Sequence, residues 1–294
     1  MSLPTIEEDE ATGEIAQLYD DVRATVRSTF VPTVIRALAV HPWYLAAAWT
    51  ALKPNLATVA AESVAGDLRV ACVERLKLLV GAARPPAIAL PEPARAEIRG
   101  VLETFFYVVP KFVVAVTALH EAWVGRPIPG RPTPPGRTLP RGAPASMPAV
   151  PLVPADTPDP RLRGIFQAVG LMLGRPEVPT LYRTLARWPD YLEAVWESIA
   201  DARLLADYRA AVPSLIQGVA TGCRRFPHAV ALDRVQAERS LDADAVSAVE
   251  TILVTYQRDM PETLLQIGRL LRDLQAPHGR QEFRSRRAGR SPRR

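Results

Sequence analysis

Apolar side chains recur every three or four residues along most of this chain, which is the period of an α-helix. One stretch places leucine, tryptophan, valine and isoleucine side chains on a single helical face, at positions 181, 185, 188, 192, 195, 196 and 199. Charged residues such as Arg187, Glu193 and Glu197 fall elsewhere on the same turns. We find no convincing alternation with a period of two, so the pattern predicts an all-α fold.

The helical pattern occurs twice. The segment VPTVIRALAVHPWYLAAAW at residues 31–49 returns as VPTLYRTLARWPDYLEAVW at residues 178–196, an offset of 147 with eleven of nineteen positions identical. Further along, the offset becomes 151 and pairs Cys72 with Cys223 and Pro110 with Pro261. A repeat of this length is too long for a solenoid unit, so we predict two pseudo-symmetric repeats of about five helices each, packed about a pseudo-twofold axis.

Prolines predict where some of these helices begin. Pro42 and Pro189 sit inside the repeated pattern, and proline is tolerated in the first turn of a helix. We therefore expect one helix to end at His41 or Trp188 and another to begin at the proline. The same reasoning predicts that Pro110 and Pro261 introduce the last long helix of each repeat.

The chain divides into four segments by composition. Residues 1–124 form the first helical repeat and residues 161–275 the second. Between them, residues 125–160 hold twelve of the 29 prolines, which favours an extended linker across the surface rather than a PxxP ligand. Residues 276–294 form a basic tail that we expect to be disordered.

The net charge of +5 comes from the linker and the tail. The tail contributes +6 and residues 125–150 contribute +4, which leaves −5 for the rest. A basic tail suits nucleic acid or an anionic membrane, but no aromatic interleaving accompanies it, so we do not expect nucleic acid as a partner. The N-terminus MSLPTIEEDE is acidic and lacks an apolar core, so we do not expect it to be a secretory signal. Glu103, Pro110 and Lys111 interrupt the most apolar stretch. We expect a cytoplasmic protein without a membrane span.

Local catalytic signatures are missing from the sequence. It contains no CxxC, HExxH or GxSxG motif and no phosphate-binding glycine loop. The histidines are scattered without ligand spacing, so we expect no metal, and the two cysteines are predicted to be buried apolar residues. The duplicated Arg36 and Arg183 lie within apolar faces, where an arginine caps a helix, pairs with a carboxylate or contacts an anionic ligand.

Five stretches resemble the DehI-type (group I) 2-haloacid dehalogenases, the halocarboxylic acid dehydrogenase DehI family. They are EIAQLYDDVRATVR, RALAVHPWYLAAAW, VLETFFYVVPKFVVAVTAL, LARWPDYL and VTYQRD, from about residue 12 to about residue 274. The resemblance implies an all-helical, AhpD-like fold of two repeats joined by a long loop, with the active site between them. It also implies a hydrolase of small 2-haloalkanoic acids in which an aspartate activates water and an asparagine holds it, without cofactor or metal.

The resemblance also assigns positions in this sequence. The catalytic aspartate position is Leu181, preceded by Thr180 at a serine position, and the asparagine position is Val109. Leucine and valine cannot activate or hold water, so the family mechanism is in doubt. The remaining pocket positions are Phe30, Thr33 and Tyr256. Asp259 and Glu103 are candidate bases on other helices.

Three functions therefore stay open from the sequence. The first is hydrolysis of a small 2-substituted carboxylate. The second is non-catalytic binding of a small carboxylic or apolar ligand in the cleft between the repeats, with Arg36 and Arg183 as anion contacts and the threonines Thr33 and Thr180 as polar contacts. The third is an interaction protein that uses its arginine-rich tail. A homodimer is compatible with each of them.

Overall fold

The computed structural model describes residues 3–78, 90–131 and 137–275, and within these ranges the regular elements are α-helices. The all-α prediction is confirmed. The helices are α1 (Gly13–Val26), α2 (Thr33–Leu38), α3 (Pro42–Leu56), α4 (Val59–Leu78), α5 (Glu92–Trp123), α6 (Pro160–Leu173), α7 (Thr180–Leu185), α8 (Pro189–Leu204), α9 (Ala206–Cys223), α10 (Arg234–Glu238) and α11 (Ala243–Gln275).

The helix bounds follow the sequence offset. Helices α1 and α6 begin and end 147 residues apart, and so do α2 and α7. The long helices α5 and α11 begin 151 residues apart. The short helix α10, which starts with a capping box at Asp233, lies in the second half, between α9 and α11.

The two longest helices form the centre of the fold. Helices α5 and α11 pack against each other, α4 contacts α11, and α9 contacts α5, so each long helix is enclosed by elements of both halves. Helix α5 is long and apolar enough to span a membrane, but 83% of its most apolar window is buried inside the protein. This burial is typical of a core helix in a soluble protein.

The prolines divide into two groups. Pro42 and Pro189 occupy the first turns of α3 and α8, as predicted, although the preceding helices end at Leu38 and Leu185 rather than at His41 and Trp188. The prediction for Pro110 and Pro261 is wrong, because both lie inside continuous helices. An interior proline costs about 3 kcal/mol locally, and the almost fully buried turns around it offset that cost.

The chain reverses sharply before α2 and α7. Arg27 ends α1 at φ 61° and Gly174 ends α6 at φ 68°, so the equivalent residues of the two halves both adopt the left-handed conformation. Pro32 and Pro179 then occupy the N-cap positions of α2 and α7. These turns bring the N-termini of the two short helices to the candidate site.

The proline-rich segment runs across both halves. Ile128 pairs with Val230 in the second half through two backbone hydrogen bonds, and Leu139 donates to Ala57 in the first half. The Val153 backbone N–H then donates to the Arg183 carbonyl oxygen, at 3.1 Å, just before α6 begins. The predicted tail, residues 276–294, lies outside the described residues.

Candidate functional site

Two equivalent threonines meet where α2 and α7 begin. The Thr33 and Thr180 hydroxyl oxygens are 2.9 Å apart, although these residues are 147 positions apart in the chain. Arg36, one turn into α2, donates from Nη2 to both hydroxyl oxygens, at 3.1 and 3.0 Å. Its guanidinium group is buried, with the residue only 1% exposed. Such a charge is stable away from water only when it is hydrogen-bonded and paired.

Glu7 supplies the pairing carboxylate. Its Oε2 accepts a hydrogen bond from Arg36 Nη1 and lies 3.2 Å from Arg183 Nη1. The Arg183 Nε donates to the Val153 carbonyl oxygen at 3.0 Å. The two duplicated arginines, one from each half, therefore converge on one carboxylate oxygen. We call Glu7, Thr33, Arg36, Thr180 and Arg183 the junction cluster.

A second buried arginine lies close by. Arg175 donates from Nη1 to the Tyr256 hydroxyl oxygen at 3.1 Å and from Nη2 to Asp259 Oδ2 at 2.9 Å. The side chains of Arg175 and Asp259 are each 5% exposed. Burial raises the pKa of Tyr256, while the charges of Arg175 and Arg36 act in the opposite direction. Tyr256 thus lies within electrostatic reach of both arginine groups.

Both carboxylate oxygens of Asp259 contact arginine side chains. Its Oδ2 pairs with Arg175, and its Oδ1 lies 3.0 Å from the Nε of Arg258. A general base must direct a free lone pair at a water or a substrate proton. One guanidinium contact on each oxygen of Asp259 leaves fewer lone pairs for a water or a substrate proton.

A surface groove of about 830 Å³ lies beside Arg175. Its walls include Phe166, Leu171 and Val178, with Arg163 and Gln167 as polar groups. These residues belong to α6 and to the segment that leads into α7, and Ala155 of the linker completes the lining on one side. The groove therefore lies on the second half of the chain rather than between the halves.

The corresponding part of the first half holds a buried lysine. Lys111 of α5 has its Nζ 3.1 Å from Glu62 Oε2, 2.8 Å from the Val26 carbonyl oxygen and 3.6 Å from the centre of the Tyr107 ring. Burial lowers the pKa of Lys111 to about 8, although the Glu62 carboxylate opposes this shift. Glu62 is shared with Arg69, whose Nη2 is 3.2 Å from its Oε1.

Comparisons with known proteins agree on one family. The family model described as Halocarboxylic acid dehydrogenase DehI matches residues 29–138. A configuration-inverting 2-haloacid dehalogenase from Alcaligenes xylosoxydans xylosoxydans is 27% identical over 273 residues, which cover 90% of this chain and 91% of the relative. Another, from Pseudomonas sp. (strain 113), is 25% identical over 284 residues and covers 92% and 90%. The family model and these relatives support the DehI-type family for this chain.

Solved structures show the same fold as this chain. The structure of a D-2-haloacid dehalogenase in complex with L-LA superposes with a TM-score of 0.84 at 21% sequence identity. The alignment covers 92% of this chain and 96% of that one. A mutant D-2-halacid dehalogenase gives the same TM-score at 20% identity. The helical architecture is therefore shared over almost the whole length of both proteins.

The two positions that the resemblance assigns to catalysis are buried and apolar in this chain. Leu181 is 1% exposed and Val109 is 8% exposed, and both belong to the hydrophobic core. Phe30 is also buried, and its ring centre lies 5.0 Å from that of Phe105. Glu103 is exposed, so the structure does not bring this candidate base to the buried arginine groups.

The structure brings together most of the other sequence-predicted residues. Thr33, Thr180, Arg36 and Arg183 share the junction cluster, while Tyr256 and Asp259 share Arg175. Sequence reasoning missed Glu7 and Arg175. The repeat contains a signal for Arg175. At the offsets of 147 and 151, the first-half counterparts of Arg175, Tyr256 and Asp259 in the sequence are Ser28, Phe105 and Val108. The polar groups of the second half lie where the repeat is not maintained.

Metal ligands are not grouped in the described ranges. Within residues 3–78, 90–131 and 137–275, no three His, Cys, Asp or Glu side chains are arranged to hold a metal ion. Cys72 and Cys223 are free and buried, and burial raises the pKa of each thiol to about 12. Their predicted role as buried apolar residues is confirmed.

Proposed function

We propose that this DehI-family protein binds a small carboxylate at the junction cluster and does not hydrolyse 2-haloacids by the family mechanism. One observation carries the proposal: Arg36 and Arg183, from the two halves, already converge on a single carboxylate oxygen. Relatives of this chain are named 2-haloacid dehalogenases, so their substrates carry a carboxylate group. Carboxylate recognition is the part of that chemistry for which this chain retains suitable groups.

The chemistry of the junction cluster suits a carboxylate. Guanidinium groups form the strongest charge-assisted hydrogen bonds to carboxylates, and burial strengthens them further. The hydroxyl groups of Thr33 and Thr180 fix the Arg36 guanidinium in place, which reduces the entropy lost on binding. Arg183 and Glu7 are only partly buried, with side chains 15% and 28% exposed, so this side of the cluster meets solvent.

Hydrolysis by the family route lacks its two polar groups. With Leu181 and Val109 at the assigned positions, no carboxylate stands where water would be activated and no amide where it would be held. Asp259 is the remaining buried candidate, and its two oxygens face Arg175 and Arg258. This arrangement supports binding over hydrolysis.

Halide release tests the negative part of the proposal. We expect no chloride or bromide above background from either enantiomer of 2-chloropropionate or 2-bromopropionate at high protein concentration. Release that is abolished by Asp259→Asn would refute the proposal and assign catalysis to Asp259.

Thermal unfolding in the presence of carboxylates tests the positive part. Propionate or lactate should stabilise the protein, by about 2.7 kcal/mol at a hundred times the dissociation constant. Arg183→Ala should abolish this stabilisation, because it removes one of the two guanidinium groups. Arg187→Ala is the matched control, since Arg187 is an exposed arginine four residues further along. Equal stabilisation of both variants would rule out the junction cluster as the binding site.

A further inference from the structure

We infer that Glu7 occupies the place of the ligand carboxylate, so that the N-terminal segment, residues 3–11, closes the site and must move aside before a ligand binds. This inference rests on the proposed function and specifies how the same site is regulated. The ligand class that follows is a short monocarboxylate, which replaces one negative charge by another.

The contacts of Glu7 are those of a bound ligand rather than of a helix residue. Glu7 precedes α1, and its side chain reaches the junction from outside the repeated segments. A single oxygen, Oε2, serves both Arg36 and Arg183. The Nε of Arg36 is buried and has no hydrogen-bond acceptor within the described ranges. Glu7 therefore leaves one donor of this guanidinium unsatisfied, which a fully complementary carboxylate would not do.

The N-terminal segment is held by hydrogen bonds, an ion pair and the buried side chain of Leu3. The Leu3 N–H donates to Glu177 Oε1 at 2.5 Å, and the Ile6 N–H donates to the Arg36 carbonyl oxygen at 3.1 Å. Glu8 accepts from Arg23 at 2.7 Å and from the Val31 N–H at 2.8 Å. The Tyr19 hydroxyl donates to the Ile6 carbonyl oxygen at 2.8 Å. Residues 3–11 contain no helix, so moving them breaks these contacts without unfolding a regular element.

Charge balance decides which ligands can replace Glu7. Removing Glu7 from the cluster without a replacement would leave the buried charge of Arg36 without its carboxylate, which is strongly unfavourable. A monocarboxylate restores the pairing with the same charge, whereas a neutral amide of the same shape does not. Exchange between Glu7 and a free monocarboxylate therefore keeps the net charge of the cluster constant.

Glu7→Ala tests this inference by vacating the site in the full-length protein. We expect the variant to unfold at a lower temperature than wild type, and acetate or propionate to restore its stability. The apparent affinity for acetate should be at least tenfold higher than in wild type, because the ligand no longer competes with Glu7. Acetamide, and chloride at equal ionic strength, should not restore stability. Asp9→Ala removes the same charge from an exposed position of the segment and should behave as wild type.

The outcomes separate this inference from the proposed function. Equal acetate affinity in wild type and Glu7→Ala would overturn the closing role of Glu7 and leave carboxylate binding intact. Binding by Glu7→Ala alone would support the closing role and overturn carboxylate binding as a property of the wild-type protein. If neither protein binds, both ideas fail. Should Glu7→Ala not fold, Glu7→Gln keeps a hydrogen-bond acceptor but removes the charge, and it must show the same gain in affinity.

Discussion

Lys111 provides a quantitative test of the buried charges in this fold. Its side chain is 7% exposed, and it contacts the Glu62 carboxylate, the Val26 carbonyl oxygen and the Tyr107 ring. Burial lowers its pKa from the ordinary value of 10.5 to about 8. The ammonium form is thus less stable in the folded protein than in the unfolded chain, where lysine is well solvated.

The sign of the pH effect follows from proton counting. Between pH 8 and 10.5 the unfolded chain binds a proton at Lys111 that the folded protein has released, so the contribution of Lys111 to the free energy of unfolding rises with pH. At about 1.4 kcal/mol per pKa unit, the charged lysine costs the fold about 3 kcal/mol below pH 8. Between pH 7 and pH 9.5, relief of this cost should add about 2 kcal/mol to the free energy of unfolding of wild type, relative to a variant without this lysine.

Urea unfolding at pH 7 and pH 9.5 measures this difference. Lys111→Met keeps a long apolar side chain and leaves Glu62 paired with Arg69, so it should lose the gain of about 2 kcal/mol on raising the pH. Lys77→Met is the control, because Lys77 is 62% exposed and should leave the gain unchanged. Identical pH dependence in wild type and Lys111→Met would show that Lys111 retains its ordinary pKa and refute the reasoning.

Two further predictions concern packing and pairing. Gly222→Ala should lower the free energy of unfolding by about 1–3 kcal/mol, because its Cβ would lie 2.7 Å from Val64 where α9 meets α4. The control Gly218→Ala, in the same helix, places its Cβ within 4 Å of no atom and should raise the free energy of unfolding by up to about 1 kcal/mol. Equal urea midpoints for the two variants would contradict the close approach of these helices. Asp259→Ala should lower the free energy of unfolding by about 3–5 kcal/mol, because it leaves Arg175 buried without its carboxylate. If this loss is no larger than that of Asp207→Ala, at an exposed position, the ion pair contributes little to stability.

Much of the helical fold could be predicted because its determinants are local. Apolar periodicity predicted the helices, and the first-turn preference of proline correctly placed the starts of α3 and α8. The same rule failed at Pro110 and Pro261, because their effect depends on burial along α5 and α11. That burial comes from distant parts of the chain, which a local rule does not include.

The repeat predicted only the part of the site where its two copies agree. Comparing the copies identified Thr33 and Thr180 with Arg36 and Arg183, and these do converge. Glu7 lies before the repeated segments and therefore has no counterpart to draw attention to it. Arg175, Tyr256 and Asp259 differ from their counterparts, so the repeat does not identify them. The family resemblance pointed to Tyr256, and Asp259 was a candidate base, but Arg175 was missed. Their contacts span more than 80 positions in the chain, and no spacing rule connects them.

The contact between Thr33 and Thr180 has a consequence for how the two halves associate. A residue touches its own copy only where the halves meet in a self-complementary way, as in an isologous dimer. Two separate chains with this interface would have to find each other in solution and would separate on dilution. The proline-rich segment makes the association intramolecular, with an effective concentration set by its length and stiffness. It also frees each half to change independently, so one copy of a position can carry an arginine while the other keeps a serine.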